Sequence, residues 1–235
     1  MKIIKVFLVV LTVQLSINAG AVSMRNTERL VNARKISTMP KKVHDGIVVK
    51  STDNLHFAYV TGSEAGMYVM RDFDQDMSYK FIKPDSLVFS PDGRHLAYVA
   101  GDSIEDLFVV LDGRRKSSRS MQEVICLVFS PDSKKIAYAG KVFDKWQVTF
   151  ADSVGVQFDD IRPGSLSFGP DSRHISYIAK DFNKWYVVID DSKGSEYSYI
   201  PDWTNLVWLS PDTVSFLLLD VSYDVYMIKE TLRKK

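Results

Sequence analysis

The chain is 235 residues long, 46% hydrophobic and almost balanced in charge, with 30 basic and 29 acidic side chains. That length admits one or two domains, and that balance argues against nonspecific binding to nucleic acid or to anionic membranes. The single cysteine, Cys126, excludes an intramolecular disulfide; it precedes Leu127-Val128-Phe129 and reads as a small apolar residue of an inner strand, with no neighbouring motif to make its thiol reactive.

Residues 1–21 read as a secretory signal peptide: Lys2 and Lys5, an apolar core from Val6 to Val13 extended by Leu15, and the small-x-small sequence Ala19-Gly20-Ala21. The apolar core is short for a bilayer span, and no later stretch approaches the ~20 apolar residues that a membrane helix needs. The expectation is a periplasmic or secreted protein with no transmembrane segment. Removing residues 1–21 takes away two basic residues and no acidic one, which moves the formal charge from +1 to −1. Residues 22–43 are basic and weakly patterned, with a candidate strand near 29–36.

From there a repeat governs the chain. The phrase Phe89-Ser90-Pro91-Asp92-Gly93-Arg94-His95-Leu96-Ala97-Tyr98 returns at 129–138 and at 168–177. It returns in eroded form from Leu209-Ser210-Pro211-Asp212, and an earlier copy runs from Ser51 to Tyr59, so that successive copies lie 39 to 41 residues apart. Such a period belongs to solenoids and propellers. Within each copy an apolar run leads into Ser-Pro-Asp and a second apolar run follows, which predicts a β-hairpin: proline presets φ for the turn and the Asp and Ser side chains accept bonds from nearby backbone N–H groups. Turn chemistry alone therefore accounts for Asp53, Asp92, Asp132, Asp171 and Asp212, and no metal or catalytic role is assigned to them.

Two further strands follow in each copy. In the third they are Trp146 to Phe150 and Val156 to Phe158; in the fourth, Trp185 to Asp190 and Glu196 to Ile200; in the second, Leu107 to Leu111, the hairpin signal Asp112-Gly113, and a polar strand around Ser118 to Val124. Four short antiparallel strands in ~40 residues make one propeller blade. β-Branched and aromatic residues dominate the runs and helical periodicity is absent.

The phrase F-S-P-D-[GS]-x-x-[LI]-A-Y at 89–98 and 129–138 resembles the WD-repeat-like β-propeller repeat of bacterial envelope proteins, the type found in TolB and in the propeller domains of prolyl-oligopeptidase-type peptidases. The resemblance covers nearly all of the chain after residue 21. It implies an all-β fold, a single β-propeller of five four-stranded blades spanning residues 22–235, with blades near 43–82, 83–123, 124–162, 163–202 and 203–235. The final copy supplies three strands, so the residues near 29–36 are expected to close the last blade as its fourth.

The peptidase relatives carry their chemistry in an α/β-hydrolase domain with a Gly-x-Ser-x-Gly elbow. Gly62-Ser63-Glu64-Ala65-Gly66 places Glu where that serine belongs, and no α/β pattern surrounds it. His56, His95 and His174 hold one position in three blades, at the start of the second strand, and read as a repeated polar edge. Asp72-Phe73-Asp74-Gln75-Asp76 lacks the glycine and distal glutamate of a calcium loop and reads as a solvated turn. The expectation is a non-enzymatic protein with no cofactor and no metal.

A propeller binds on a face of the disc or at its channel, where the loops of every blade collect. The loops joining the second and third strands share a face with the links between blades, and here they are aromatic. Phe143, Lys145, Trp146, Phe182, Lys184, Trp185, Tyr223, Trp203 and Arg162 are the candidate binding residues, of types enriched at interfaces; Trp146 and Trp185 also suit packing between blades. The expected role is an interaction scaffold for another envelope or extracellular protein. A small-ligand or carbohydrate-binding or hydrolysing propeller that uses the central channel is the alternative.

Overall fold

The computed structural model describes residues 22–26, 29–33, 47–63, 66–117, 119–220 and 222–232. The chain divides into two compact units, residues 1–41 and residues 42–235. The signal peptide lies outside the described residues.

The first unit contains one antiparallel hairpin, β1 (Val22–Asn26) with β2 (Arg29–Ala33), closed by the pairs Asn26↔Arg29 and Arg25↔Leu30. Of the closing strand expected near 29–36, residues 29–33 form this hairpin with β1, and residues 34–36 lie outside the described residues. A neighbour two residues away costs far less loop-closure entropy than a strand at the other end of the chain.

The second unit is built from five antiparallel sheets, formed in chain order. The architecture is a β-propeller. The first blade is β3 (Val48–Lys50), β4 (Phe57–Ser63), β5 (Gly66–Arg71) and β6 (Asp74–Tyr79). The second is β7 (Phe81–Ile82) and β8 (Val88–Phe89), which both pair with β9 (Leu96–Ser103), then β10 (Asp106–Leu111) and β11 (Arg114–Arg115). The third is β12 (Glu123–Phe129), β13 (Ile136–Val142), β14 (Lys145–Phe150) and β15 (Ser153–Phe158). The fourth is β16 (Asp160–Ile161) and β17 (Ser167–Phe168), both on β18 (Ile175–Asp181), then β19 (Lys184–Ile189) and β20 (Ser192–Lys193). The last is β21 (Val207–Ser210), β22 (Thr213–Leu219) and β23 (Val225–Thr231).

Three details differ from the sequence reading. The links Phe81–Ile82 and Asp160–Ile161 already form inner strands of the blade that follows them. The fourth strand of the fourth blade is Ser192–Lys193, and the segment expected from Glu196 to Ile200 contributes only the bridge Trp185↔Tyr197. The fourth strand of the second blade is likewise Arg114–Arg115 with a bridge at Met121, because Glu123 and Val124 belong to the inner strand of the next blade.

The second strand of each inner blade reads as a nearly unbroken apolar run because both of its faces are covered. Along β9, Leu96, Tyr98 and Ala100 face a cluster shared with the first blade, while Ala97 and Val99 face one shared with the third. Along β13, Ile136 and Tyr138 face the second blade, and Ala137 and Ala139 face the fourth. Ile178 of β18 enters a cluster with Val214 and Phe216 of the last blade. Alanine on one side of these strands lets the neighbouring sheet approach closely, and the tyrosine of the repeated phrase fills the other side.

Those tyrosines solve their polar end differently. The Tyr98 hydroxyl donates to Asp76 Oδ2 at 2.8 Å, tying the second blade to the outer strand of the first. The Tyr177 hydroxyl is fully buried and has no hydrogen-bond partner among the described residues. Burial pushes both phenols well above their usual range. Tyr98→Phe is therefore expected to destabilise the fold by roughly 1–3 kcal/mol, through loss of a bond to a carboxylate. Tyr177→Phe is expected to leave stability unchanged or to raise it, because nothing is lost and a buried unpaired group is removed. Denaturant melts of the two variants, compared as midpoints at equal slope, check the contrast.

Candidate functional site

Two rims of the propeller carry polar and aromatic side chains in a repeating order. On one rim lie the Ser-Pro-Asp turns. Ser90 Oγ donates to Asp92 Oδ1 at 2.6 Å and accepts the His95 N–H at 2.9 Å, while Asp92 Oδ1 also accepts the Arg94 N–H. Ser130 and Asp132 repeat this set with the N–H groups of Lys134 and Lys135. The residue after Asp has a left-handed backbone in the first four of the five turns, with φ of 60° at Asn54, 72° at Gly93, 64° at Ser133 and 59° at Ser172. Ser133 and Ser172 add a bond that Gly93 cannot make: their hydroxyls accept the backbone N–H of Asp92 and Asp132 from the preceding blade. A side chain at Gly93 would instead crowd Ser51 and Asp53 of the neighbouring turn.

The three histidines of this rim are held by aspartates that the sequence reading did not connect to them. His56, His95 and His174 meet Asp72, Asp112 and Asp190 through Nδ1 at 2.8, 2.6 and 2.8 Å. The other oxygen of each aspartate accepts the backbone N–H of Phe57, Leu96 or Ile175. The signal was a second spacing, an Asp 16 or 17 residues after each His. Each pair pins the end of a third strand to the start of a second, and among the described residues no group of three or more His, Cys, Asp or Glu is placed to hold a metal ion. Asp72 and Asp76 of the acidic cluster are accounted for in the same way, by His56 and Tyr98.

Cys126 sits in a bulge of β12 with φ of 57°. Its sulfur accepts the Gly164 N–H at 3.1 Å and its thiol faces the Arg162 carbonyl at 3.7 Å, while burial pushes its pKa up. It packs partly buried beside the core that the third and fourth blades share.

The opposite rim carries the hairpins between second and third strands. Phe143, Phe182, Tyr223 and Trp203 are 89, 84, 82 and 53% exposed. The Val142↔Lys145 and Asp181↔Lys184 pairs close two-residue turns in which both central residues have positive φ: 49° and 62° at Phe143-Asp144, 46° and 61° at Phe182-Asn183. Such turns ordinarily take Asn, Asp or Gly, and a bulky aromatic there is a conformational outlier. Tyr223 repeats the feature with φ of 64°, in a turn organised by Asp220, whose Oδ1 accepts the N–H groups of Ser222 and Asp224.

The links between blades join these hairpins. Asp159 accepts from Lys145 Nζ and, through its other oxygen, from the Phe182 N–H, so one carboxylate spans the tips of the third and fourth blades. The Lys145 bond holds Asp159 below the usual carboxylate range, and the same bond raises Lys145. Arg162 donates to the Ile200 and Pro201 carbonyls, lies 3.6 Å from Asp202 and stacks over Trp185. Burial and these bonds make Arg162 a strut beneath the face, and Trp185 its half-buried partner. Trp146 is 7% exposed within the core, so the structure places it in packing and not on the surface. Lys184 is exposed beside Phe182.

Neither a family model nor a curated protein matches the chain. Among solved structures it is similar to TolB-type and other β-propellers. TolB from Acinetobacter baumannii shares 14% identity over 79% of this chain and 52% of its own, with a TM-score of 0.44. The β-propeller domain of the Trilobed protease from Pyrococcus furiosus shares 13% over 88% and 73%, with a TM-score of 0.41. The acylaminoacyl peptidase of Pyrococcus horikoshii shares 19% over 66% and 33%, with a TM-score of 0.41. The chain spans about half the length of the TolB structure.

The turn aspartates make an acid-stability prediction. The serine bonds hold Asp92 and Asp132 below the ordinary carboxylate range. A lowered folded pKa contributes stability that is present above the unfolded value and is lost as pH falls through the folded one. Melting temperature should therefore drop as pH falls through and below the carboxylate range, and the drop should be shallower in the Asp92→Asn/Asp132→Asn variant, as followed by circular dichroism.

Proposed function

We propose that the chain is an exported, non-enzymatic propeller that serves as a protein-interaction scaffold in the bacterial envelope. It acts through the face that presents Phe143, Phe182, Trp203 and Tyr223, with Lys184 and the Lys145–Asp159 pair beside them. The observation that carries this reading is the combination of exposure and strain at Phe143, Phe182 and Tyr223, three aromatic side chains held outward on left-handed backbone in three successive blades. Each feature disfavours the free protein, and a partner that buries the rings offsets both. An aromatic side chain buries about 150–250 Å², so four supply most of the ~800 Å² that one side of a standard interface requires. The signal-like residues 1–21 support export, and among the described residues no helix is long and apolar enough to cross a membrane.

Phe182→Asn tests the reading on both sides. Asparagine suits left-handed backbone, so the variant is expected to be more stable than the parent by up to ~1 kcal/mol while losing affinity by roughly tenfold or more. The partner is found with a benzophenone side chain at position 143: illumination in an envelope extract should give one discrete protein adduct, competed by unlabelled chain and absent with the probe at Phe73, in the turn between third and fourth strands. Adducts only with lipid, or equal labelling from both positions, would remove the scaffold reading.

A further inference from the structure

The junction between the second and third blades breaks a pattern that its neighbours keep. Strand register places Phe108 opposite Ala100, Gln147 opposite Gly140 and Tyr186 opposite Ala179. Two residues further along each strand, Val110 stands opposite Tyr98, Thr149 opposite Tyr138 and Val188 opposite Tyr177. Phe108 and Val110 fill the core between the first and second blades, and Tyr186 and Val188 fill that between the third and fourth. The middle junction carries an amide and a hydroxyl at these two positions. Where the neighbours pack a ring and a valine, it holds a cavity of about 240 Å³, lined by Lys116, Arg119 and Met121 of the second blade and its link and by Tyr138, Gln147 and Thr149 of the third.

Three donors converge on this cavity without an acidic partner. Gln147 is 7% exposed, and because Trp146 and Val148 on either side of it enter the opposite core, its side chain is turned into the cavity. There its amide makes no hydrogen bond among the described residues. A buried amide left unpaired costs stability, so its use in place of a ring calls for a group in the cavity that completes it. Arg119, exposed at the mouth, has no ion pair or hydrogen bond among the described residues. Tyr138 is the third. At the preceding junction Tyr98 donates to Asp76 on the outer strand of the first blade, but the outer strand of the second blade is Arg114–Arg115 and offers no carboxylate. The Tyr138 hydroxyl has only the Thr149 hydroxyl beside it. Asp152, the one carboxylate in the lining, is bonded to Lys116 at 2.9 Å. With Lys116 and Arg119 set against Asp152, the lining keeps one positive charge in excess.

We propose that this cavity is a binding site for a small monoanionic hydroxycarboxylate. The ligand's carboxylate takes the role that Asp76 plays at the preceding junction: it accepts from the Tyr138 hydroxyl, the Gln147 amide and the Arg119 guanidinium, a charge-assisted set. Its hydroxyls meet the Gln147 carbonyl and the Thr149 hydroxyl, both of which accept. Its hydrocarbon lies against Met121, Val142 and Val154, which complete the lining. The volume is that of about eight water molecules in the liquid and lies below the ~300–1,000 Å³ of pockets for drug-sized ligands, which suits an acid of about three to six carbons. Such a ligand bonds to both blades and so fastens the second to the third.

The test titrates the full chain with sodium lactate and sodium gluconate, and with glucose and gluconamide as neutral counterparts. The expected result is saturable one-to-one binding of at least one acid with a dissociation constant of about 1 mM or below, a melting temperature that rises with its concentration, and shifts of the Gln147 side-chain amide resonances in nitrogen-15-labelled chain. The neutral compounds should bind at least about tenfold more weakly. Gln147→Phe, which restores the ring of the neighbouring junctions, should melt at or above the parent's temperature and bind neither acid. Arg119→Gln, on an exposed side chain, should weaken binding by about tenfold or more. No saturable binding by either acid, the result for a cavity that holds water alone, would overturn the proposal. So would binding that leaves the Gln147 resonances in place, binding unchanged by Gln147→Phe or Arg119→Gln, or inorganic phosphate binding as tightly as the acids. Should Gln147→Phe fail to fold, Arg119→Gln and the Gln147 resonances of the unaltered chain decide.

Discussion

The hydrogen bond from the Asp132 backbone N–H to the Ser172 hydroxyl, with its counterpart from Asp92 to Ser133, joins the turn of one blade to the turn of the next. On the other rim, cations from the inner strands reach forward across a similar interval: Lys83 to the Val124 carbonyl, Arg162 to the carbonyls of Ile200 and Pro201. The second and third sheets are thereby held at both ends, and all five bury alternating apolar residues in four shared clusters. The apolar area supplies the bulk of the stabilisation, but it is non-directional. The rim bonds set how one sheet is seated on the next.

A frame held in this way tolerates strain at its loops. Phe143 and Phe182 occupy backbone that a bulky residue disfavours, and they stay there because each two-residue turn is closed by a strand pair and anchored from a neighbouring element, Asp144 by Gln122 and Phe182 by Asp159. Binding residues on loops carried by a rigid scaffold are ordered in advance, which lowers the entropy that association must overcome. The buried Trp146, Arg162 and half-buried Trp185 support the exposed tips from below.

Several parts of this arrangement could be read from residue order alone. The period of the Ser-Pro-Asp phrase, the hairpin it implies and the aromatic content of one set of loops are local properties, and local turn chemistry leaves local marks. The pairing of His56, His95 and His174 with aspartates was also written in the chain, as a fixed offset to Asp72, Asp112 and Asp190, but its meaning depends on a hairpin that brings the end of a third strand beside the start of a second. The positive φ at Phe143 and Phe182 was not legible, since the residue type points against it and only the two-residue closure imposes it. Nor was the division of candidate residues into surface and strut: Trp146 and Phe143 stand three positions apart, and strand geometry sends one inward and the other out.

Strand pairing at the two ends of the chain shows the same boundary. The sequence by itself determined that the protein repeats a four-strand unit, that its last copy supplies three strands, and that Arg29–Ala33 has strand character. Tertiary structure decided which strands become partners. β2 pairs with the adjacent β1, and among the described residues β23 pairs with β22. A strand's propensity follows from its side chains and the alternation along it, whereas its partner is chosen by competition among all available edges, weighed against the entropy of closing the loop between them.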